Sequence, residues 1–209
     1  MRGSPVLGCK EFYDKTAVGW AERGYLDEAE PVCMDEFCAL LPEGGRVLDL
    51  CCGTGYESFR LRRRGFQPVG LDFSAESLTI AREKNPDVPF FQGNMLEPYP
   101  QVGPVDGVIC IAGLVHVETP DLPLAFRRIG EVLKPGGYLL ASVRYGTGRM
   151  EDRSVTEIGG QTYDRNFIAH NEEELRAAMG EGFALVREMP SDMKIWAYYL
   201  FQNLEEVRS

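Results

Sequence analysis

The sequence predicts an α/β fold, a doubly wound and mostly parallel sheet with helices on both faces. Two observations carry this. Short apolar runs bounded by Gly, Pro or an acid alternate with helix-like stretches from residue 46 to residue 188. The first run, Arg46-Val47-Leu48-Asp49-Leu50, passes through Cys51-Cys52-Gly53-Thr54-Gly55 toward a helix. A strand, a glycine-paired turn and a helix are the start at which open sheets bind ligands beyond the carboxyl ends of their strands.

Taken in order, residues 1–10 read as a poorly ordered leader, and residues 11–209 as one domain. A helix over 11–22 carries Phe12, Tyr13 and Trp20, too many aromatics for a solvated tail. A second helix over 32–41, with Pro31 in its first turn, completes an entry segment over about 11–41. The first strand covers 46–50, a helix 55–64 closed by Gly65, and the second strand 66–71, ending on Asp72. Ser74 caps a helix that Asn85-Pro86 stops. Strand three spans 88–92 and strand four 105–112, followed by a helix over 121–133. Lys134-Pro135-Gly136-Gly137 reads as a helix-stop turn into strand five, 138–143. Residues 144–162 are polar and glycine-containing and read as a loop or flap, with a short strand at 163–168. A helix over 171–180 capped by Asn171 and strands at 183–188 and 195–201 complete the chain.

Composition narrows the function. The 209 residues carry a net charge of −10, which argues against nucleic acid as the main partner, because phosphate-backbone affinity rests on clustered Lys and Arg. The run Arg60, Arg62, Arg63 and Arg64 reads as a solvated helix end. Six scattered cysteines without a CxxC pair, and only two histidines, predict no metal site. Free thiols suit a reducing cytoplasm, and no apolar run of membrane-spanning length is present.

Three strand ends carry ligand-binding groups: Gly53 and Gly55, then Asp72, then Asn94. Asp72 lies 23 residues after Asp49, a spacing suited to an acid that takes ribose hydroxyls. A dinucleotide cradle needs G-x-G-x-x-G, and Ser58 stands at the third glycine, which counts against an NAD-dependent oxidoreductase. A ligand with an amino-acid moiety gives Asp49 a task, orienting the loop and attracting an ammonium group.

VLDLCCGTG, the acid in VGLDFS, GNM after strand three, VDGVICIAGLVHV and the LKPGG turn together resemble the ordered motifs of class I S-adenosylmethionine-dependent methyltransferases of small-molecule type. The resemblance covers residues 11–190. It implies a Rossmann-like sheet of seven strands, the last antiparallel, with residues 11–41 as lid helices. It also implies S-adenosylmethionine as cofactor, S-adenosylhomocysteine as product, a small-molecule acceptor and a monomer or homodimer. By the same resemblance Asp49, Cys51, Gly53 and Gly55 hold the methionyl end. Asp72 takes the ribose, Phe73 borders the adenine, Asn94 and Met95 meet its edge, and Ile111 lies beneath. Tyr13 and Trp20 cover the cofactor.

His116 has two readings, a general base for the acceptor and a structural residue. Arg144 and Tyr145 face either a substrate pocket or solvent. His170 reads as a loop residue. Cys51 replaces a glycine of the family's series, and Asn94 replaces its usual Asp. Those departures keep open a cofactor-binding regulator without turnover.

Overall fold

The computed structural model describes residues 6–26, 33–189 and 195–204. Helix α1 (Cys9–Leu26) and helix α2 (Cys33–Cys38) precede the sheet. Alternation then runs β1 (Arg46–Leu50), α3 (Tyr56–Arg63), β2 (Gln67–Asp72), α4 (Ala75–Lys84) and β3 (Phe90–Gln92). It continues as β4 (Val105–Cys110), α5 (Leu122–Gly130) and β5 (Leu133–Arg144). Five short elements follow: β6 (Gly148–Arg149), α6 (Glu151–Ser154), β7 (Val155–Ile158), β8 (Gln161–Asp164) and β9 (Ile168–Ala169). Helix α7 (Glu172–Met179), β10 (Phe183–Met189) and β11 (Trp196–Asn203) close the chain.

The main sheet has seven strands in the order β10-β11-β5-β4-β1-β2-β3. β11 runs antiparallel to both neighbours, and the pairs among β1 to β5 are parallel. The expected architecture is present, with the chain reversing direction across the sheet between β1 and β4. That reversal opens a crevice beyond their carboxyl ends.

Alternation along the strands divides the core. Leu48, Leu50, Val108 and Cys110 join Phe126 and Ile129 of α5 and Leu175 of α7. Val47 and Ile109 point to the other face, against Met34 and Phe37 of α2 and Leu61 of α3. Asp49 shares that second face, so its carboxylate is directed at α3.

Three of the helix ends read from sequence are built as expected. Ser74 Oγ accepts the Ser77 amide at 3.1 Å. Asn171 and Glu174 form a reciprocal capping box. The Gly65 and Phe66 amides return to the Arg62 and Leu61 carbonyls, a Schellman closure of α3.

Four expectations are corrected. The Lys134-Pro135-Gly136-Gly137 segment lies inside β5, where Val105 pairs with Leu133 and Gly107 with Tyr138, so the extra residues bulge out of the strand. The polar stretch after β5 is folded: β7 and β8 pair across Gly159-Gly160, whose φ values of 60° and 78° give a two-residue primed turn. Its alternation is half polar, which hid the strands from an apolar-run reading. Of the expected leader, residues 1–5 lie outside the described residues, as does Pro31, whereas Leu7 bridges to Tyr163 and exchanges backbone hydrogen bonds with Thr162 and Asp164. Arg60 is buried and ion-paired with Glu57 at 2.8 Å, unlike a solvated helix end.

Gly70 of β2 lies under the Phe90 ring, and a methyl group there would sit 2.3 Å from its Cδ1 and 2.9 Å from Cys52 Sγ. Gly70→Ala is therefore expected to destabilise by about 1–3 kcal/mol through overpacking. Urea denaturation checks this; an unchanged midpoint would show that Phe90 moves aside freely.

Candidate functional site

A cavity of about 260 Å³ opens where the sequence places the ligand, beyond the carboxyl ends of β1, β2 and β4. Tyr13 and Trp20 cover it from α1. Cys51 and Gly53 line it from the turn after β1, and Asp72 and Phe73 from the end of β2. Asn94 and Met95 follow β3, and Ile111 and His116 follow β4. Asp49 and Gly55, also singled out from sequence, do not line it. Instead, Asp49 is buried, and its Oδ2 accepts from Ser58 Oγ at 2.6 Å. It pins the first turn of α3 to β1 and is not positioned to meet an ammonium group. Gly55 backs onto Phe90, Ala81 and Asn85, where a side chain would crowd all three.

Asp72 joins two loops. Its Oδ2 accepts the Gly53 amide at 2.9 Å and its Oδ1 the Ser74 amide at 2.8 Å. Each oxygen keeps a further lone pair for a ligand hydroxyl. Burial raises the pKa of both acids, that of Asp49 to about 7, while accepted hydrogen bonds oppose the shift.

Backbone strain concentrates around the cavity. Cys51 has φ +61° and Ala112 φ +56°. For an L side chain the left-handed region costs about 1–2 kcal/mol. Cys51 thus takes the glycine-like conformation that its place in the turn demands. Its Sγ lies 3.6 Å from Met95 Sδ. Hydrogen bonding with Cys110, then burial, holds its thiol well above the usual range. The Ala112 amide donates to Ser142 Oγ at 2.8 Å, which secures the second strained residue.

The covering helix is tied down by polar contacts. The Asp14 carboxylate accepts from Ser74 Oγ at 2.6 Å, and the Tyr25 hydroxyl donates to the Thr54 carbonyl at 2.9 Å. Tyr13 Oη lies 2.8 Å from His116 Nε2, and His116 Nδ1 lies 2.8 Å from the Arg165 carbonyl. A carbonyl only accepts, so Nδ1 carries the proton and Nε2 accepts from Tyr13. Burial lowers the His116 pKa to about 4 and keeps the ring neutral. His170, expected to be a loop residue, is fully buried, and its Nε2 reaches the Leu114 and Val117 carbonyls at 3.1 Å each. It holds the turn that carries His116.

Sequence reasoning missed Thr54, Cys9 and Ala112, which also line the cavity. Thr54 had a signal, as the one hydroxyl between the two glycines. Cys9 fell in the expected leader, and the strain at Ala112 has no sequence mark. Thr54 Oγ1 and Trp20 Nε1 are buried without a hydrogen-bond partner among the described residues. Two such atoms in one cavity call for a polar ligand. Asn94 lines the wall with its Oδ1 already accepting the Leu96 amide at 3.0 Å. Among the described residues, no cluster of three or more His, Cys, Asp or Glu side chains suits a metal ion, and no helix is long and apolar enough to cross a membrane.

Residues 47–137 match the family model of a methyltransferase domain. YqeM of Bacillus subtilis is 42% identical over 110 residues, covering 50% of this chain and 44% of that protein. The 2-phytyl-1,4-naphtoquinone methyltransferase of Thermosynechococcus vestitus is 43% identical over 105 residues, 46% of this chain and 45% of its own. The chain thus spans about half the length of these relatives. Among solved structures, an S-adenosylmethionine-dependent methyltransferase from Clostridium acetobutylicum superposes with a TM-score of 0.69 at 14% identity, over 92% of this chain and 99% of its own. At that identity the likeness shows the fold alone.

Two outcomes test the local physics. Native Asp49 holds a proton that the unfolded chain releases above its ordinary value of 3.8, so its contribution to stability is full below that pH and is lost as the pH rises to about 7. Urea melts across this window should show the wild type losing stability relative to Asp49→Asn; parallel curves would contradict the assignment. Cys51→Val puts a branched side chain at φ +61° and is expected to cost at least about 1–2 kcal/mol, whereas Cys51→Gly keeps the fold, as differential scanning calorimetry can establish.

Proposed function

We propose that this chain, which belongs to the class I S-adenosylmethionine-dependent methyltransferase family, transfers the methyl group of S-adenosylmethionine to a small-molecule nucleophile. The observation that carries the reading is Asp72, a buried carboxylate at the end of β2 whose two oxygens orient both flanking loops and still have lone pairs facing the cavity. When bound, the cofactor supplies a sulfonium-activated methyl group, and alignment of the acceptor with it provides much of the rate.

The chain's own residues do the holding. Asp72 would take the ribose hydroxyls, with Phe73, Asn94 and Met95 around the base and Ile111 beneath. The open side of Gly53, where a Cβ would meet nothing within 4 Å, admits the methionyl end close to the backbone. Thr54 Oγ1 and Trp20 Nε1 fit the same group, the first as donor or acceptor and the second as donor. Asp49 and Gly55 act from behind the turn. Tyr13 and Trp20 shut out water from above. In this reading residues 11–209 are one domain with lid helices over 11–41, working in the cytoplasm as a monomer or homodimer.

Two rivals meet the same site. A nicotinamide cofactor lacks its third glycine, and the residue there, Ser58, is committed to Asp49. A binding-only regulator is separated by experiment. Calorimetry should show S-adenosylmethionine and S-adenosylhomocysteine binding, with turnover on some members of a metabolite panel. Binding without any turnover favours the regulator, and no binding removes both readings. Asp72→Ala should weaken cofactor binding by about 1.5–3 kcal/mol, the value of hydrogen bonds to a charged group; an unchanged Kd in a folded variant would dismiss the ribose assignment.

A further inference from the structure

We propose that the methyl acceptor is a carboxylic acid, methylated on its carboxylate, and that Arg144 and Arg165 bind it beside the Tyr13–His116 pair. The inference rests on the methyltransferase reading above and names the substrate class of that site.

The first observation is a series of ring contacts running from His116, on the cavity, to the carboxyl end of β5. His116, which lines the cavity, meets the Phe167 ring edge-on at 5.4 Å, and Phe167 meets Trp196 at 6.3 Å. A guanidinium packs at each end. Arg144 lies 5.5 Å from the Trp196 ring centre, and Arg165 lies 5.3 Å from Phe167 and 4.7 Å from Phe12. A guanidinium seated on an aromatic ring keeps its planar N–H fork free for a carboxylate.

The second observation is that neither guanidinium is neutralised by an acid. Among the described residues neither arginine has an ion-pair partner, while Arg62, Arg64, Arg128, Arg149, Arg176 and Arg187 each have one. Arg165 gives its Nε to the Arg153 carbonyl at 3.0 Å and also hydrogen-bonds the Tyr13 hydroxyl, which leaves the rest of its N–H groups. Arg144 Nε is buried with no partner among the described residues. In a chain of 32 acids and 22 Lys and Arg, an arginine without an ion pair at each end of these ring contacts leaves positive charge to offer an anion from outside.

The third observation concerns protons. His116 Nε2 is occupied by the Tyr13 hydroxyl, and Nδ1 is committed to a carbonyl. In this arrangement His116 reaches a substrate proton only by way of the Tyr13 hydroxyl. A carboxylate needs no base, because it is ionised at neutral pH. Its oxygen forms the new C–O bond as the C–S bond breaks. The electron pair stays on sulfur, the products are a methyl ester and the thioether, and no proton is released.

The test uses the whole chain with methyl-labelled S-adenosylmethionine and an ultrafiltered cell extract as acceptor pool. Label that mild alkali releases as methanol is the expected result. Alkali-stable label overturns the proposal, as does no label from protein that binds the cofactor. Failure to bind the cofactor overturns the methyltransferase reading as well, so the two failures are distinct. As a binding readout, benzoate but not benzamide should quench tryptophan fluorescence of the S-adenosylhomocysteine complex. Arg144→Gln and Arg165→Gln should each weaken benzoate binding about tenfold or more. Their Kd for S-adenosylhomocysteine and their melting temperatures should stay near wild type, and the Lys variants should recover some of the loss. Equal binding of acid and amide, or loss of both ligands together, overturns the assignment.

Discussion

The carboxylate of Asp72 sets the geometry on which the site depends. One oxygen holds the glycine turn after β1 and the other holds the start of α4, so two loops from adjacent strands share one acid. Burying a carboxylate is costly, and the two amides offset that cost only while both loops keep their places. One side chain thus couples the positions of the two loops. Asp49 has the matching role on the neighbouring strand, behind the turn, where it holds α3 through Ser58.

Cys51 and Ala112 show what the sheet imposes on its loops. Both stand just past the ends of neighbouring parallel strands, and both adopt a conformation that glycine reaches without strain. Strain of this kind persists where surrounding structure over-determines the backbone. Around Cys51 that structure includes the Met95 thioether and the Cys110 thiol. Around Ala112 it is the Ser142 hydroxyl. The substitution of cysteine for glycine thus leaves the turn's course intact.

Much of this was legible in the sequence, for reasons that differ by residue. The buried strands announced themselves as apolar runs, and Ser74 and Asn171 marked helix starts through local hydrogen bonding that depends on nothing distant. Asp72, Asn94 and His116, which line the cavity, stood out in the sequence because strand ends in such sheets converge. The errors share a cause in tertiary contact. Whether Asp49 faces a ligand or a helix depends on the pleat and on Ser58 nine residues on. The hairpin after β5 is half polar because it does not sit in the main sheet, so its strands lack an apolar run. The series of ring contacts joins residues from the ends of β4 and β11 and from the segment before β9, which no local pattern brings together.

The covering helix has a further consequence. Of its residues only Phe12, Ala17 and Ala21 are buried, and much of its attachment is through hydrogen bonds to the loops after β1, β2 and β4. Water can replace such bonds at small net cost, whereas an apolar face resists exposure. The helix is thus suited to lift as a unit while the sheet stays folded, a local opening far below the free energy of global unfolding. Entry and departure of a ligand would then be set by how often those loops release the helix.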